Sequence, residues 1–394
     1  MAVSGPLPLL HTIKIDTIRY HGGPDSLVAP TLPLFEGAVN LKDFSLFINE
    51  HPSLHHFTFP NLTTLKFSTG LREFPVSRLL NFLEASPALR QICMRIEAGR
   101  FDEDVPAQRI IVLSHVKTFD LGVTNDGRGC EIATRISCPF AKRVEFSHTP
   151  QARDDVPEDP YPPSIPWKAI ARQYTNGAVE RVVLEMKMDN RYLRMNCSIT
   201  FESSDKAILK LCYIYWTAEG STEIFPGALR TIQDHPRLAN IRHLHIKGGN
   251  LAIDDLGPAT ERIGRLLGSM GPLENLTLEG CDLHPYLDAF LSIPLFPEAI
   301  RPASFPSIKE LVVIHPVQSL LDEGVYASAI VELARSQYTR GMPFEWAKFY
   351  AGVPLLLVNE LTAFIDTVEY YGKVFSGGDE IYERCHTNRT AFCL

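Results

Sequence analysis

The chain has 394 residues, 45% of them hydrophobic and 21% charged, with 38 Lys and Arg against 46 Asp and Glu for a net charge of -8. This is the composition of a folded chain with room for roughly two or three domains or one elongated array, and it excludes a disordered polypeptide. The acidic balance and the lack of any Lys/Arg run speak against a nucleic-acid-binding surface, and no apolar stretch approaches the roughly 20 residues that cross a bilayer.

From the N-terminus, residues 1–16 carry neither the basic start nor the long apolar run of a secretory signal, so a cytoplasmic or nuclear chain is expected. The eight cysteines, at 93, 130, 138, 197, 212, 281, 385 and 393, form no Cys-x-x-Cys pair. Buried thiols in a reducing compartment fit that scatter better than a disulfide framework.

Leu10-His-Thr-Ile-Lys-Ile-Asp already reads as repeat material, and a short pattern then recurs: an apolar residue, two others, an apolar residue, one other, an apolar residue. Leu41-Lys-Asp-Phe44-Ser-Leu46 carries it, as do Leu62-Thr-Thr-Leu65-Lys-Phe67, Leu89-Arg-Gln-Ile92-Cys-Met94, Val116-Lys-Thr-Phe119-Asp-Leu121 and Ala141-Lys-Arg-Val144-Glu-Phe146. It returns at Val179-Glu-Arg-Val182-Val-Leu184, Ile241-Arg-His-Leu244-His-Ile246, Leu273-Glu-Asn-Leu276-Thr-Leu278 and Ile308-Lys-Glu-Leu311-Val-Val313. The central residues lie 21, 27, 27 and 25 positions apart as far as Val144, then 38, 62, 32 and 35. The early intervals match a leucine-rich repeat of about 20 to 29 residues. The interval of 62 has room for one further unit, which the strand-like segment from Ile208 would fill.

Alternation at the end of each copy specifies a short strand with one buried face. The segments between read as helices: Val76 to Ser86 stopped by Pro87, Thr260 to Met270 stopped by Gly271-Pro272, Leu287 to Leu291 ahead of Pro294, and Gly324 to Arg335. A unit that cannot bury its own apolar face must stack on its neighbours. The expected fold class is therefore α/β, an irregular leucine-rich-repeat-like solenoid with an inner parallel sheet and outer helices. An ordinary open α/β domain is the alternative.

Residues 1-150 are expected to hold the N-terminal repeat units. Residues 151-224 read as an acidic, proline-rich loop and an irregular β-rich middle, in which Tyr192 to Phe201 and Ala207 to Trp216 form an antiparallel hairpin or meander. Residues 225-371 are expected to hold the C-terminal units, and 372-394, where the phasing is lost, a flexible tail.

The run Phe57-Thr-Phe-Pro-Asn-Leu-Thr-Thr-Leu-Lys-Phe, followed by Leu79-Leu-Asn-Phe-Leu-Glu-Ala-Ser-Pro-Ala-Leu, resembles the repeat region of the F-box-like families of mushroom-forming fungi. So does Phe305-Pro-Ser-Ile-Lys-Glu-Leu with Ile330-Val-Glu-Leu-Ala-Arg-Ser-Gln and Gly341-Met-Pro-Phe. The resemblance implies repeats that capture a substrate for a cullin-based ubiquitin ligase, with an N-terminal F-box of Leu-Pro-x-Glu type docking the ligase adaptor. Residues 1–40 contain no such opening, so the adaptor is an expected partner only if an F-box lies upstream.

No catalytic, cofactor-binding or metal residues are expected. There is no Gly-x-Ser-x-Gly, and Gly127-Arg-Gly129 and Ser376-Gly-Gly378 lack the spacing that cradles phosphates. His243 and His245 share a strand face opposite Leu244 and Ile246, which reads as an exposed face without a third metal ligand; His51, His55, His56 and the Cys281/His284 pair are equally without partners at ligand spacing.

The candidate partner-binding residues lie on the inner sheet beside the buried positions: Lys66, Arg95, Asp120, Arg143 and Glu145 in the first half, then Arg181, Glu185, His243, His245, Lys247, Thr277 and Glu279. Their mixed charge points to a protein partner rather than nucleic acid or membrane. The expected function is a non-enzymatic protein-protein interaction scaffold, and the competing expectation is a hydrolase-like α/β enzyme without a sequence signature.

Overall fold

A computed structural model describes residues 10–16, 38–48, 59–74, 76–101, 109–124, 129–149, 178–189, 194–204, 207–216, 232, 240–248, 263–267, 270, 273–280, 308–314, 325–350, 353–370, 373–376, 379–382 and 386–388. In chain order the described elements begin with β1 (Thr12–Asp16), β2 (Asp43–Ile48), β3 (Thr64–Phe74), α1 (Val76–Glu84), β4 (Gln91–Phe101), β5 (Ile111–Val112), β6 (Thr118–Thr124), α2 (Gly129–Arg135), β7 (Ile136–Ser137) and β8 (Arg143–Thr149). They continue with β9 (Val179–Asp189), β10 (Arg194–Ser203), β11 (Ile208–Trp216), β12 (His243–Lys247), β13 (Asn275–Glu279), β14 (Glu310–Ile314), α3 (Val325–Thr339) and β15 (Trp346–Tyr350). The last are β16 (Val353–Pro354), α4 (Leu355–Leu361), β17 (Thr367–Tyr370), β18 (Lys373–Ser376), β19 (Asp379–Tyr382) and β20 (His386–Asn388).

The chain divides into two compact units, Met1–Gly177 with Asp205–Tyr215, and Ala178–Ser204 with Trp216–Leu394. In the first, strands follow the order β1-β2-β3-β4-β6-β8-β11, and every neighbouring pair is parallel. In the second, the order is β10-β9-β12-β13-β14-β15-β17-β20. Its pairs from β9 to β17 are parallel, with antiparallel partners at β10 and β20. The α/β class with a mostly parallel sheet is therefore observed, with few helices among the described residues. The segment from Ile208 joins the first sheet parallel to β8.

The recurring pattern has a recurring cause. Just ahead of a strand, the N–H of the first apolar residue closes a turn onto the carbonyl three residues before it: Leu41 onto Ala38, Leu62 onto Phe59, Leu89 onto Ser86, Val116 onto Leu113, Ala141 onto Cys138 and Leu273 onto Met270. Both ends of each turn are buried. Next, two successive N–H groups of one repeat donate to a single carbonyl of the previous one. Lys42 and Asp43 donate to His11, Thr63 and Thr64 to Lys42, Arg90 and Gln91 to Thr63, Lys117 and Thr118 to Arg90, and Lys142 and Arg143 to Lys117. The second unit repeats this from Glu274 and Asn275 to Arg242, from Lys309 and Glu310 to Glu274, and from Glu345 and Trp346 to Lys309. All of these bonds are 2.7–3.1 Å long, and they satisfy backbone donors while fixing each strand in the same register as the last.

That register stacks the central apolar residues. Phe44, Leu65, Ile92, Phe119, Val144 and Leu209 form one row, and Val182, Leu244, Leu276, Leu311, Ala347 and Val368 form another. All are at most 1% exposed, and burying each large side chain contributes about 1.5–3 kcal/mol.

Helix α1 covers part of the first row. Its Val76, Leu79, Leu80 and Leu83 recur at helical spacing and are buried. Phe82 meets Phe59 edge-on at 6.3 Å, and Phe59 in turn packs on Phe44 at 5.4 Å. Residues 263–267 are helical as expected, and α3 runs past Arg335 to Thr339. It stops because Gly341, at φ 71°, lets its own N–H and that of Met342 cap the carbonyls of Tyr338 and Gln337. The helix expected at Leu287 to Leu291 lies outside the described residues. Strands β18, β19 and β20 fall within 372–394, where the repeat phasing is lost.

Candidate functional site

Because alternate residues of a strand point to opposite faces, the buried row leaves a second face of each sheet for polar side chains. All twelve candidate residues lie there. In the first unit one row reads Lys14, Ser45, Lys66, Cys93, Asp120, Glu145 and Lys210 across consecutive parallel strands.

Arg95 reaches diagonally from β4 to β6 and donates to both carboxylate oxygens of Asp120, at 2.7 and 2.9 Å. The register explains how: Arg95 lies opposite Gly122, and a Cβ there would come within 2.5 Å of Arg95 Cδ and 2.9 Å of Ser147 Oγ. Glycine thus makes the space the guanidinium stem crosses. Glu145 accepts from Arg143 at 3.2 Å and lies 3.8 Å from Lys210. Lys66 is exposed.

Two thiols share this face. The Cys93 Sγ is 3.6 Å from Asp120 Oδ2, and burial followed by the Asp120 charge pushes its pKa up. Cys212 Sγ is 3.9 Å from Glu145 Oε1, and burial pushes it up to about 11. Nucleophilic cysteines need the opposite environment, one that favours the thiolate. Cys93, Cys138 and Cys212 are free thiols.

In the second unit the face is a chain of hydrogen bonds. Arg181 lies 3.4 Å from Glu202 and donates to His245 Nδ1 at 3.3 Å; His245 Nε2 lies 2.9 Å from Glu279, which also accepts Lys247 at 3.1 Å. A guanidinium can only donate, so Nδ1 accepts, and the proton sits on Nε2, which donates to Glu279. Burial, then the Lys247 charge, holds the His245 pKa below its ordinary value. For Glu279, burial pushes upward, but the bonds from Lys247 and His245 outweigh it and hold the carboxyl below its usual range. Both ring nitrogens are engaged, which leaves none for a substrate proton. The sequence expectation of an exposed strand face fails for His245, whose side chain is 10% exposed, because Arg181 and Glu279 close over it from both neighbouring strands. His243 is half-buried beside Arg181 in register. Thr277 lies between His245 and Val312, and Glu185 pairs with Lys187 at 2.7 Å.

Sequence reasoning missed the next part of this face. Lys348 donates to Glu310, faces Glu369 in register, and lies 5.2 Å from the ring centroid of Trp346, itself 40% exposed. The bond to Glu310 raises the Lys348 pKa. The signal was present: Phe344-Glu-Trp-Ala347-Lys-Phe349 and Ile365-Asp-Thr-Val368-Glu-Tyr370 are further copies of the pattern, in which aromatic residues and alanine stand where leucine usually does.

Among the described residues no group of three or more His, Cys, Asp or Glu side chains could hold a metal ion, and no helix is long and apolar enough to cross a membrane. His51, His55, His56, Cys281 and His284 lie outside the described residues. No family model, curated protein or solved structure matches the chain.

Proposed function

We propose that the chain is a non-enzymatic protein-interaction scaffold whose repeats stack as a leucine-rich-repeat-like solenoid, similar to the substrate-binding repeats of F-box ubiquitin-ligase receptors and working in the cytoplasm or nucleus. The observation that carries this reading is the single carbonyl per repeat that accepts two successive N–H groups of the next, from His11 to Lys117 and from Arg242 to Lys309. Repetition of that bond aligns side chains from consecutive repeats into continuous rows, the arrangement repeat proteins use for extended partners. The polar face is held in place by its own ion pairs, so a partner meets a preset pattern rather than mobile side chains.

The test places a photo-crosslinking amino acid at Ser68 or Ser198 on the polar face, and at Arg78 on the exposed side of α1. Crosslinks to one shared protein from both face positions, absent from Arg78, are expected. Crosslinks from Arg78 alone, or from none of the three, reject the face as the partner surface. The ligase half is tested separately: the crosslinked protein should gain ubiquitin when the chain is overproduced, and unchanged ubiquitination removes that half alone.

A further inference from the structure

The residue whose carbonyl accepts two N–H groups stands just ahead of each strand, and in the first unit it is repeatedly basic: Lys42, Arg90, Lys117, with Lys142 at the equivalent place before β8. These residues are 25 to 48 positions apart in sequence, so no basic run marks them. The common backbone bonds bring them into line. Neighbouring strands lie about 4.8 Å apart, which sets Arg90, Lys117 and Lys142 on consecutive steps of β4, β6 and β8. Lys42 lies two strands beyond Arg90, with Thr63 between.

All four side chains are exposed, and none forms an ion pair among the described residues. Asp43, the acid beside Lys42, stands on the polar sheet face and accepts from Thr12 at 3.4 Å. Like charges side by side on adjacent strands repel. The second unit sets opposite charges side by side at most of its equivalent positions, which alternate in sign as Glu180, Arg242, Glu274, Lys309 and Glu345 before Asp366 adds a second acid, with Arg242–Glu274 and Lys309–Glu345 each 3.9 Å apart. Among the described residues, the first unit supplies this row with no counter-charge.

We propose that this row binds an extended acidic segment of a partner protein, on a surface distinct from the polar sheet face. From Lys42 to Lys142 is four strand spacings, about 19 Å, the length of roughly six extended residues. Two exposed apolar side chains flank the row, Val39 at 52% near Lys42 and Phe140 at 62% near Lys142. They suit apolar side chains at the ends of such a segment. A nucleic acid fits less well: one aromatic gives a poor stacking track, and a net charge of -8 repels a continuous phosphate backbone.

Fluorescence anisotropy of the full chain with a labelled octaglutamate peptide, against an oligothymidylate of equal charge, tests this. The peptide is expected to bind more tightly than the oligonucleotide, and the double variant Lys117→Glu, Lys142→Glu to weaken it about tenfold or more. Lys309→Glu, the same reversal at an equivalent position of the second unit, and Lys66→Glu, on the polar sheet face, should each leave it within about twofold. Circular dichroism checks that the variants fold. Arg90→Gln, expected to weaken binding about threefold, reads the same row if the double variant does not. No peptide binding, an equal loss with Lys309→Glu or Lys66→Glu, or tighter binding of the oligonucleotide overturns the proposal.

Discussion

At the entries to β2, β4, β6 and β8 the first unit places Lys42, Arg90, Lys117 and Lys142, all cations, where the second runs Glu180, Arg242, Glu274, Lys309, Glu345 and Asp366, alternating in sign as far as Glu345. The backbone is alike in both units: Lys42, Arg90 and Lys117 in the first, and Arg242, Glu274 and Lys309 in the second, each accept two successive N–H groups at one carbonyl. Strand stacking is therefore set by the main chain and the buried row, and the charge carried at the edge is free to differ. A similar contrast holds on the polar faces. The first unit ties Arg95 to Asp120 across a glycine, while the second threads a histidine between an arginine and a glutamate.

Substituting glycine by alanine in each unit separates two kinds of dependence. Gly248, at φ 73°, follows β12, and a Cβ there would collide with the Met186 carbonyl, which is backbone and cannot move aside. Gly248→Ala should cost about 3 kcal/mol or more, read as a lowered urea midpoint. A smaller loss would show that β9 shifts to accommodate it.

The second unit should also be the acid-sensitive one on this face. His245 holds its proton less readily folded than unfolded, so its contribution is complete above its ordinary value of 6.5 and declines as pH falls below it. Glu279 acts in the same direction below 4.5. Denaturation midpoints measured from pH 7.5 to 5 should fall, and His245→Gln should flatten that fall.

Gly122→Ala in the first unit meets only side chains, chiefly the flexible stem of Arg95. Its expected cost is about 0.5–1 kcal/mol, with loss of the Arg95–Asp120 pair and no further loss when Arg95→Ala is added. The smallest effects fall on the strand entries. Lys117→Ala, which removes a cation between two others, should raise stability by about 0.3 kcal/mol, and Arg242→Ala, which breaks a pair, should lower it by a similar amount. Both differences should vanish in high salt. Equal signs for the two would erase the contrast between the units.

Much of the fold was legible in the chain. The LxxLxL copies mark β2, β3, β4, β6, β8, β9, β12, β13 and β14, and the Val76 helix is where its periodicity places it. The copies at Ala347 and Val368 were hidden because alanine and aromatics occupy apolar positions, and the Lys348–Glu310 pair was hidden with them. The turn ahead of each strand was readable in part from Phe59-Pro-Asn-Leu and Ser86-Pro-Ala-Leu, where proline is favoured at the second position. Asn61 sits in that turn and donates to the Val39 carbonyl at 2.7 Å.

Alternation within a strand is local, since it needs only the two-residue period of the backbone, and the sequence by itself determined which side chains form the apolar row and which share the polar face. Which strands are neighbours, and in what register, depends on hydrogen bonds between residues as far as 66 positions apart. Only the tertiary structure decided that Arg181 and Glu279 enclose His245, that Gly122 clears a path for Arg95, and that four scattered cations stand in one row.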